Sequence, residues 1–326
     1  MTVSRRVKAG VRVSRSATAE PGYDAVRAKD PVAVVIFGAS GDLSRRKLIP
    51  ALYQLQAAGY LPDRYAVVGF ARTPMSDEAY RDAMLQALRE RVEDGAVVDA
   101  DNPLVKALYY QRGDNGDLET FTQLREKLDR LDAELQLGGN RLFYLSVAPE
   151  FFAIIVRQLT AAGLIRDKNE RAWSRVIIEK PFGVDLESAR QLNTAVTAAL
   201  DESQIYRIDH YLGKETVQNI LSFRFGNSIF EPLFNQKYVD NVQITVGEEL
   251  GMEGRRGAYY DRAGTMRDMV QNHMLQLFCL IAMEPPSALE AQSIRDEKVK
   301  VLRALVPMTR KEVAANTVRG QYGMGE

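Results

Sequence analysis

The chain has 326 residues, an apolar share of 46%, and 43 basic side chains balanced by 43 acidic ones. At roughly 150 residues per domain the length fits two globular domains. A net charge of zero excludes nucleic acid or an anionic membrane as the main electrostatic partner. One cysteine, Cys279 in the apolar run LQLFCLIAM, reads as a buried, inert thiol in the reducing cytosol. No apolar run approaches the ~20 residues of a membrane helix.

Residues 1–15 carry five cations and no acid. They open a disordered basic tail over residues 1–29, a reading preferred here to a transit peptide. Val32–Phe37 is a β-branched run of the kind found in central parallel strands covered on both faces. Leu48, Leu52 and Leu55 then recur at helical spacing, Gly59 ends the helix, and Pro50 predicts a kink or a late start. YAVVGFAR is a second strand. Ser76 caps the next helix, with Asp77 and Glu78 in its first turn. NRLFYLSVAP and SRVIIEKPFG read as strands, EFFAIIVRQLTAAGL as a helix, and Asp185 caps LESARQLNTAVTAAL. This alternation predicts a Rossmann-like, doubly wound parallel sheet over residues 30–203. From about residue 205 the style changes. IYRIDHYLG is short and extended, KETVQNILSFRFG helical, and VDNVQITVGEEL a half-buried strand with Val242, Ile244 and Val246 alternating. TMRDMVQNHMLQLFCLIAM reads as a long amphipathic helix. Residues 204–326 therefore form a second, α+β domain.

Three stretches carry chemistry. Gly38, Ala39, Ser40, Gly41, Asp42 and Leu43 link the first strand to the first helix, and the two glycines let backbone N–H groups approach a diphosphate at a helix N-terminus. Ser40 stands where the second glycine of the full dinucleotide pattern belongs. The second strand ends at Arg72, where an NAD site wants an acid. A guanidinium there suits a 2′-phosphate, so the reading is NADP, with Arg45, Arg46 and Lys47 adding charge. Glu179, Lys180 and Pro181 end a predicted strand at the carboxyl edge, where open α/β sheets bind ligands. A cis bond at Pro181 would aim Lys180 into the cleft.

The two histidines, His210 and His273, both lie in polar clusters. In an extended segment Asp209 and His210 point to opposite faces and meet different partners. Asp268, five residues before His273, falls off its face of an α-helix. A metal site is not expected, since there is no His-x-x-x-His and no second cysteine.

Together GASGDLSRRKLIPAL, EKPFG, RIDHYLGKE, EGRRGAYYDRAGTMRDMVQNHMLQ and the closing RGQYG resemble the glucose-6-phosphate dehydrogenase family, in the family's order, from about residue 30 to the end. The resemblance implies that His273 is the general base and Asp209 its partner. It implies that His210, Tyr211 and Lys214 bind the phosphate of glucose 6-phosphate, that Glu249 and Asp268 bond sugar hydroxyls, and that Lys180 touches sugar and cofactor. It assigns Gly38 to Leu43 and Arg72 to NADP, and it implies a homo-oligomer and a second domain with a mostly antiparallel sheet. The family's chains are considerably longer, so the second domain is expected to be incomplete here, with weak NADP binding and turnover that is poor or absent unless the remainder is supplied. Two other readings are a non-catalytic NADP-binding fragment and a different NADP-dependent sugar or polyol dehydrogenase with a Glu-Lys-Pro lysine.

Overall fold

A computed structural model describes residues 27–91, 98–247, 256–321 and 323, with side chains 256–259 and 262 excepted. The basic tail expected over residues 1–29 lies outside the described residues as far as residue 26. The chain divides into two compact units, meeting at Arg207 and Ile208.

Six strands build the first unit: β1 (Val32–Phe37), β2 (Tyr65–Ala71), β3 (Leu108–Arg112), β4 (Arg141–Leu145), β5 (Ser174–Ile178) and β6 (Ile205–Arg207). All pair in parallel, in the order β3-β2-β1-β4-β5-β6. The apolar strands bury both faces, as near-continuous hydrophobic runs require. On one face Ile36, Val67 and Tyr110 pack beneath α1 (Ile49–Ala57), α2 (Asp77–Arg89) and the short α3 (Pro103–Lys106). On the other, Val35, Phe37, Phe70, Phe143 and Ile178 pack beneath α4 (Leu118–Leu135), α5 (Phe152–Ala161) and α6 (Leu186–Thr197). The rings of Phe37, Phe70 and Phe121 interlock there, with centroids 4.9 to 5.7 Å apart. Each such buried side chain stabilises the unit by about 1.5–3 kcal/mol. Strand β6 carries this unit to Arg207, beyond the boundary expected at residue 203.

Most start and stop signals act as read. The helix begins at Asp42 and runs through a π-helical stretch, Ser44–Leu48, directly into α1, so the late start expected at Pro50 is not seen; the π-helical stretch lies immediately before the proline, whose ring and missing N–H disturb the regular i→i−4 ladder. Ser76 accepts the Ala79 N–H at 3.1 Å, and Asp185 forms a reciprocal capping box with Ser188. Asp77 does more than favour the helix dipole. Its carboxylate accepts from the Tyr110 N–H at 2.6 Å and from Lys127 Nζ at 2.7 Å, tying β3 and α4 to α2.

The second unit contains α7 (Glu215–Phe225), α8 (Arg256–Thr265), a π-helix (Met266–Met274), α9 (Leu275–Ala282), α10 (Ala291–Ala304) and α11 (Arg310–Asn316). Val217, Leu221, Leu280 and Met283 form its core, with Leu277, Ile294 and Val301 packed against them. The predicted half-buried strand is not formed. Residues 239–247 run without ladder partners, Val242 is exposed, and the rest of the predicted strand lies outside the described residues. The alternating pattern is real, but a strand needs a neighbour for its N–H and C=O groups. Among the described residues this unit offers none, so the expected antiparallel sheet is not seen there. No helix among the described residues is long and apolar enough to cross a membrane.

Candidate functional site

The phosphate-type loop leaves β1 at the carboxyl edge, where the strand order turns from β1 to β4. That reversal is the ligand crevice of open parallel sheets. Gly38 has φ +78°, and a Cβ there would lie 2.2 Å from the Ser146 carbonyl oxygen. The glycine thus lets the loop cross the end of β4. Gly41, Asp42 and Leu43 are exposed at the helix start, and the Ser40 and Thr73 hydroxyls are 3.2 Å apart. Arg72 is exposed at the end of β2, and Arg45, Arg46 and Lys47 are exposed beside the loop. The donor set suits a dinucleotide with an extra phosphate: backbone N–H groups at a helix start, with guanidinium and ammonium charge around them.

At the end of β5 the Lys180–Pro181 bond is cis. Glu179 accepts a 2.5 Å hydrogen bond from the Tyr144 hydroxyl on the neighbouring strand. Burial first, and then this bond, push the Tyr144 phenol well above its ordinary range, so it remains a donor. Gly183, at φ +84°, lets the turn close onto the backbone of Ala189 at the start of α6. Beside α1, against β1, β4 and β5, lies a cavity of about 500 Å³ lined mostly by apolar side chains.

In the second unit Asp209, still extended, caps a 3-10 turn over His210–Gly213, its Oδ1 accepting the Tyr211 N–H at 3.0 Å. The same carboxylate bonds Nδ1 of His273. His273 is fully buried on the π-helix, with the Tyr211 ring stacked on it at 4.1 Å and 13°. The His210 ring stands edge-on at 4.5 Å, and Lys214 Nζ lies 3.5 Å from the Tyr211 ring centroid. Two expectations are corrected here. His210 does not face away from Asp209, because the chain turns at His210 and the extended alternation ends one residue early. Asp268 is not off the face of His273, because the segment is π-helical and its i→i+5 repeat sets residues five apart on successive turns. Glu249 lies outside the described residues.

Donor atoms of Asp209, His210 and His273 lie within 4.8 Å of one another. They do not make a good cation site. The carboxylate and Nδ1 are already bonded to each other, and the Lys214 ammonium stands over the Tyr211 ring that stacks on His273. Three relevant residues escaped the sequence reading: Thr73, Tyr144 and Lys298. Lys298 had a signal. It lies four residues after Ile294 and three before Val301, on the apolar face of α10, where a cation is unexpected.

A parallel sheet with an N–H-rich loop at its switch point defines a dinucleotide-binding α/β protein, here followed by a helical unit with an acid–histidine pair. Residues 35–219 match the family model described as the NAD binding domain of glucose-6-phosphate dehydrogenase, and residues 221–326 match that of its C-terminal domain. The chain belongs to the glucose-6-phosphate dehydrogenase family. It is 44% identical over 298 residues to a glucose-6-phosphate 1-dehydrogenase of Chlamydia muridarum and 46% identical over 293 residues to that of Bacillus subtilis, in each case 90% of this chain and 58% of the relative. A solved glucose-6-phosphate dehydrogenase in complex with its substrate glucose-6-phosphate aligns with TM-score 0.79 and 37% identity, over 88% of this chain and 58% of the other. The Mycobacterium avium glucose-6-phosphate 1-dehydrogenase structure aligns at 0.72 and 38%, over 84% and 57%. The chain thus spans under three fifths of the length of these relatives.

Proposed function

We propose that this chain oxidises D-glucose 6-phosphate to the 6-phospho-glucono-lactone, with NADP as the oxidant. The observation that carries the reading is the Asp209–His273 bond within a chain of this family. Asp209 on Nδ1 fixes the tautomer and puts the ring's lone pair on Nε2. His273 then takes the proton of the sugar's C1 hydroxyl through Nε2, and the Asp209 charge stabilises the imidazolium that forms. NADP, when bound, supplies the acceptor for the hydride that leaves C1. Lys214, His210 and Tyr211 bind the sugar's phosphate, where the ammonium over the Tyr211 ring offers a charge-assisted donor. Asp268 and Glu249 bond sugar hydroxyls. Lys180 reaches sugar and cofactor, and the Tyr144–Glu179 bond holds the turn that carries it. Residues 38–43 hold the diphosphate, and Arg72 prefers the 2′-phosphate of NADP to the bare ribose of NAD. A cytosolic location and self-association belong to the same reading.

The test is absorbance at the NADPH band with the chain, NADP and either glucose 6-phosphate or free glucose. Turnover on the phosphorylated sugar is expected, with kcat/KM reduced about 10²- to 10⁴-fold in His273→Asn, the usual loss for a positioned base. Equal rates for His273→Asn and the parent would remove the assignment. A preference for free glucose would favour a different sugar dehydrogenase. NADP binding without any response to the sugar phosphate would favour a non-catalytic nucleotide-binding fragment.

A further inference from the structure

Asp209 is asymmetric. Its Oδ1 serves the Tyr211 N–H and His273 Nδ1, while Oδ2 is buried and makes no hydrogen bond. A buried carboxylate oxygen without a donor is expensive unless a cation compensates it. Helix α10 supplies one in the same unit. Lys298 of α10 is half-buried on the face that carries Ile294 and Val301. Its Nζ donates to Gln276 Oε1 at 3.0 Å, three residues beyond His273, and its backbone carbonyl faces Cys279 Sγ at 3.8 Å. The bond to Gln276 holds the ammonium at the end of α9 that continues the π-helix.

We propose that Lys298 is a positioning residue for the acid–histidine pair: its ammonium compensates Asp209 and keeps the His273 imidazole neutral near physiological pH. This inference rests on the base assignment above. The carboxylate alone draws a proton onto His273, since an opposite charge favours the imidazolium. A cation interacting with the same carboxylate opposes that, so the ring stays available as a proton acceptor. Electrostatics agree with this placement. The Lys298 ammonium is depressed first by burial, is supported by the Cys279 and Asp209 charges, and is opposed by Arg295. The Cys279 thiol is pushed up by burial and only partly relieved by Lys298. Among the described residues, the titratable and charged groups on the elements around the pair include His210 and Tyr211 on the 3-10 turn with Lys214 after it, Asp268 on the π-helix, Cys279 on α9, and Lys298 and Arg295 on α10.

The chain has only two histidines, so His210→Gln leaves His273 as the single imidazole for an NMR titration, with neither sugar nor cofactor added. In that background Lys298→Met is expected to raise the His273 titration midpoint by about one unit, the size of a charge interaction at short range. Lys298→Gln should do the same, in case the methionine variant folds poorly, and Lys298→Arg should restore the parent midpoint. In chains that retain His210, the acid limb of kcat/KM for glucose 6-phosphate should move to higher pH by the same amount in Lys298→Gln. Midpoints unchanged in both neutral variants, or shifted equally in Lys298→Arg, would overturn the proposal. A midpoint that moves while the acid limb stays put would support the role of Lys298 and refute His273 as the base.

Discussion

The bond from Asp209 to His273 Nδ1 settles the ring's tautomer, and three other side chains surround it: Tyr211 on the ring face, His210 at its edge, and Lys214 over Tyr211. Lys214 is exposed and stands over the Tyr211 ring. Removing it should weaken the hold on a phosphate without disturbing the base. Lys214→Ala is expected to raise KM for glucose 6-phosphate by one to two decades, the loss of one charge-assisted contact of about 1.5–3 kcal/mol. Because this binding is shared by ground and transition states, kcat should stay within about threefold. Steady-state kinetics on the two sugars decides it, and KM for free glucose should not change. The individual residues here were legible as chemistry, because two histidines set among acids, tyrosine and lysine are conspicuous in a chain with so few. Their mutual placement was not. It depends on a 3-10 turn and a π-helix, and both break the periodicities from which faces are read.

At the scale of elements, the loop after β1 and the turn after β5 are fixed by contacts with β4. Gly38 cannot carry a side chain, since its φ is positive and a Cβ would collide with the Ser146 carbonyl oxygen. Gly38→Ala should destabilise the first unit by about 1–3 kcal/mol or more, and weaken NADP with it. Thermal melts with and without NADP would measure both. Tyr144→Phe removes the donor to Glu179 and should cost about 1–3 kcal/mol. The sign of its pH dependence follows from the raised phenol. The ordinary value is near 10 and the folded value lies above it, so the contribution is fully present below pH 10 and fades as pH rises beyond that. Denaturation midpoints of parent and variant should therefore differ by a constant amount at neutral pH and converge in strong alkali. The first unit was legible almost strand by strand, because a parallel sheet buried on both faces writes its strands as uninterrupted apolar runs. Arg141 is an instructive exception. It opens a core strand, is buried, and is tolerated there because Asp129 of α4 pairs with it.

At the scale of the whole molecule, the two units differ in how their sequences encode them. The second unit has a small core, and exposed apolar residues such as Ile229, Tyr238, Val306 and Val318 lie outside it. Its strand pattern at residues 239–247 finds no ladder partner among the described residues, and a local reading of alternation cannot tell whether one exists. What holds the described part together is partly polar. Arg224 of α7 is buried, donating to the Leu280 carbonyl at 2.7 Å and the Met283 carbonyl at 2.9 Å. Those are end groups of α9, which no further helical N–H satisfies. Its guanidinium also lies over Phe225 at 4.6 Å and Phe234 at 4.9 Å. Methionine keeps most of the apolar volume but leaves two buried carbonyls unpaired. Arg224→Met should therefore destabilise the second unit by about 2–4 kcal/mol. Since the sheet and its two cores belong entirely to the first unit, the effect should be local. Limited proteolysis is expected to cut Arg224→Met faster after residue 207 while a fragment ending near there survives as in the parent. Equal loss of both halves would show that the two units unfold as one.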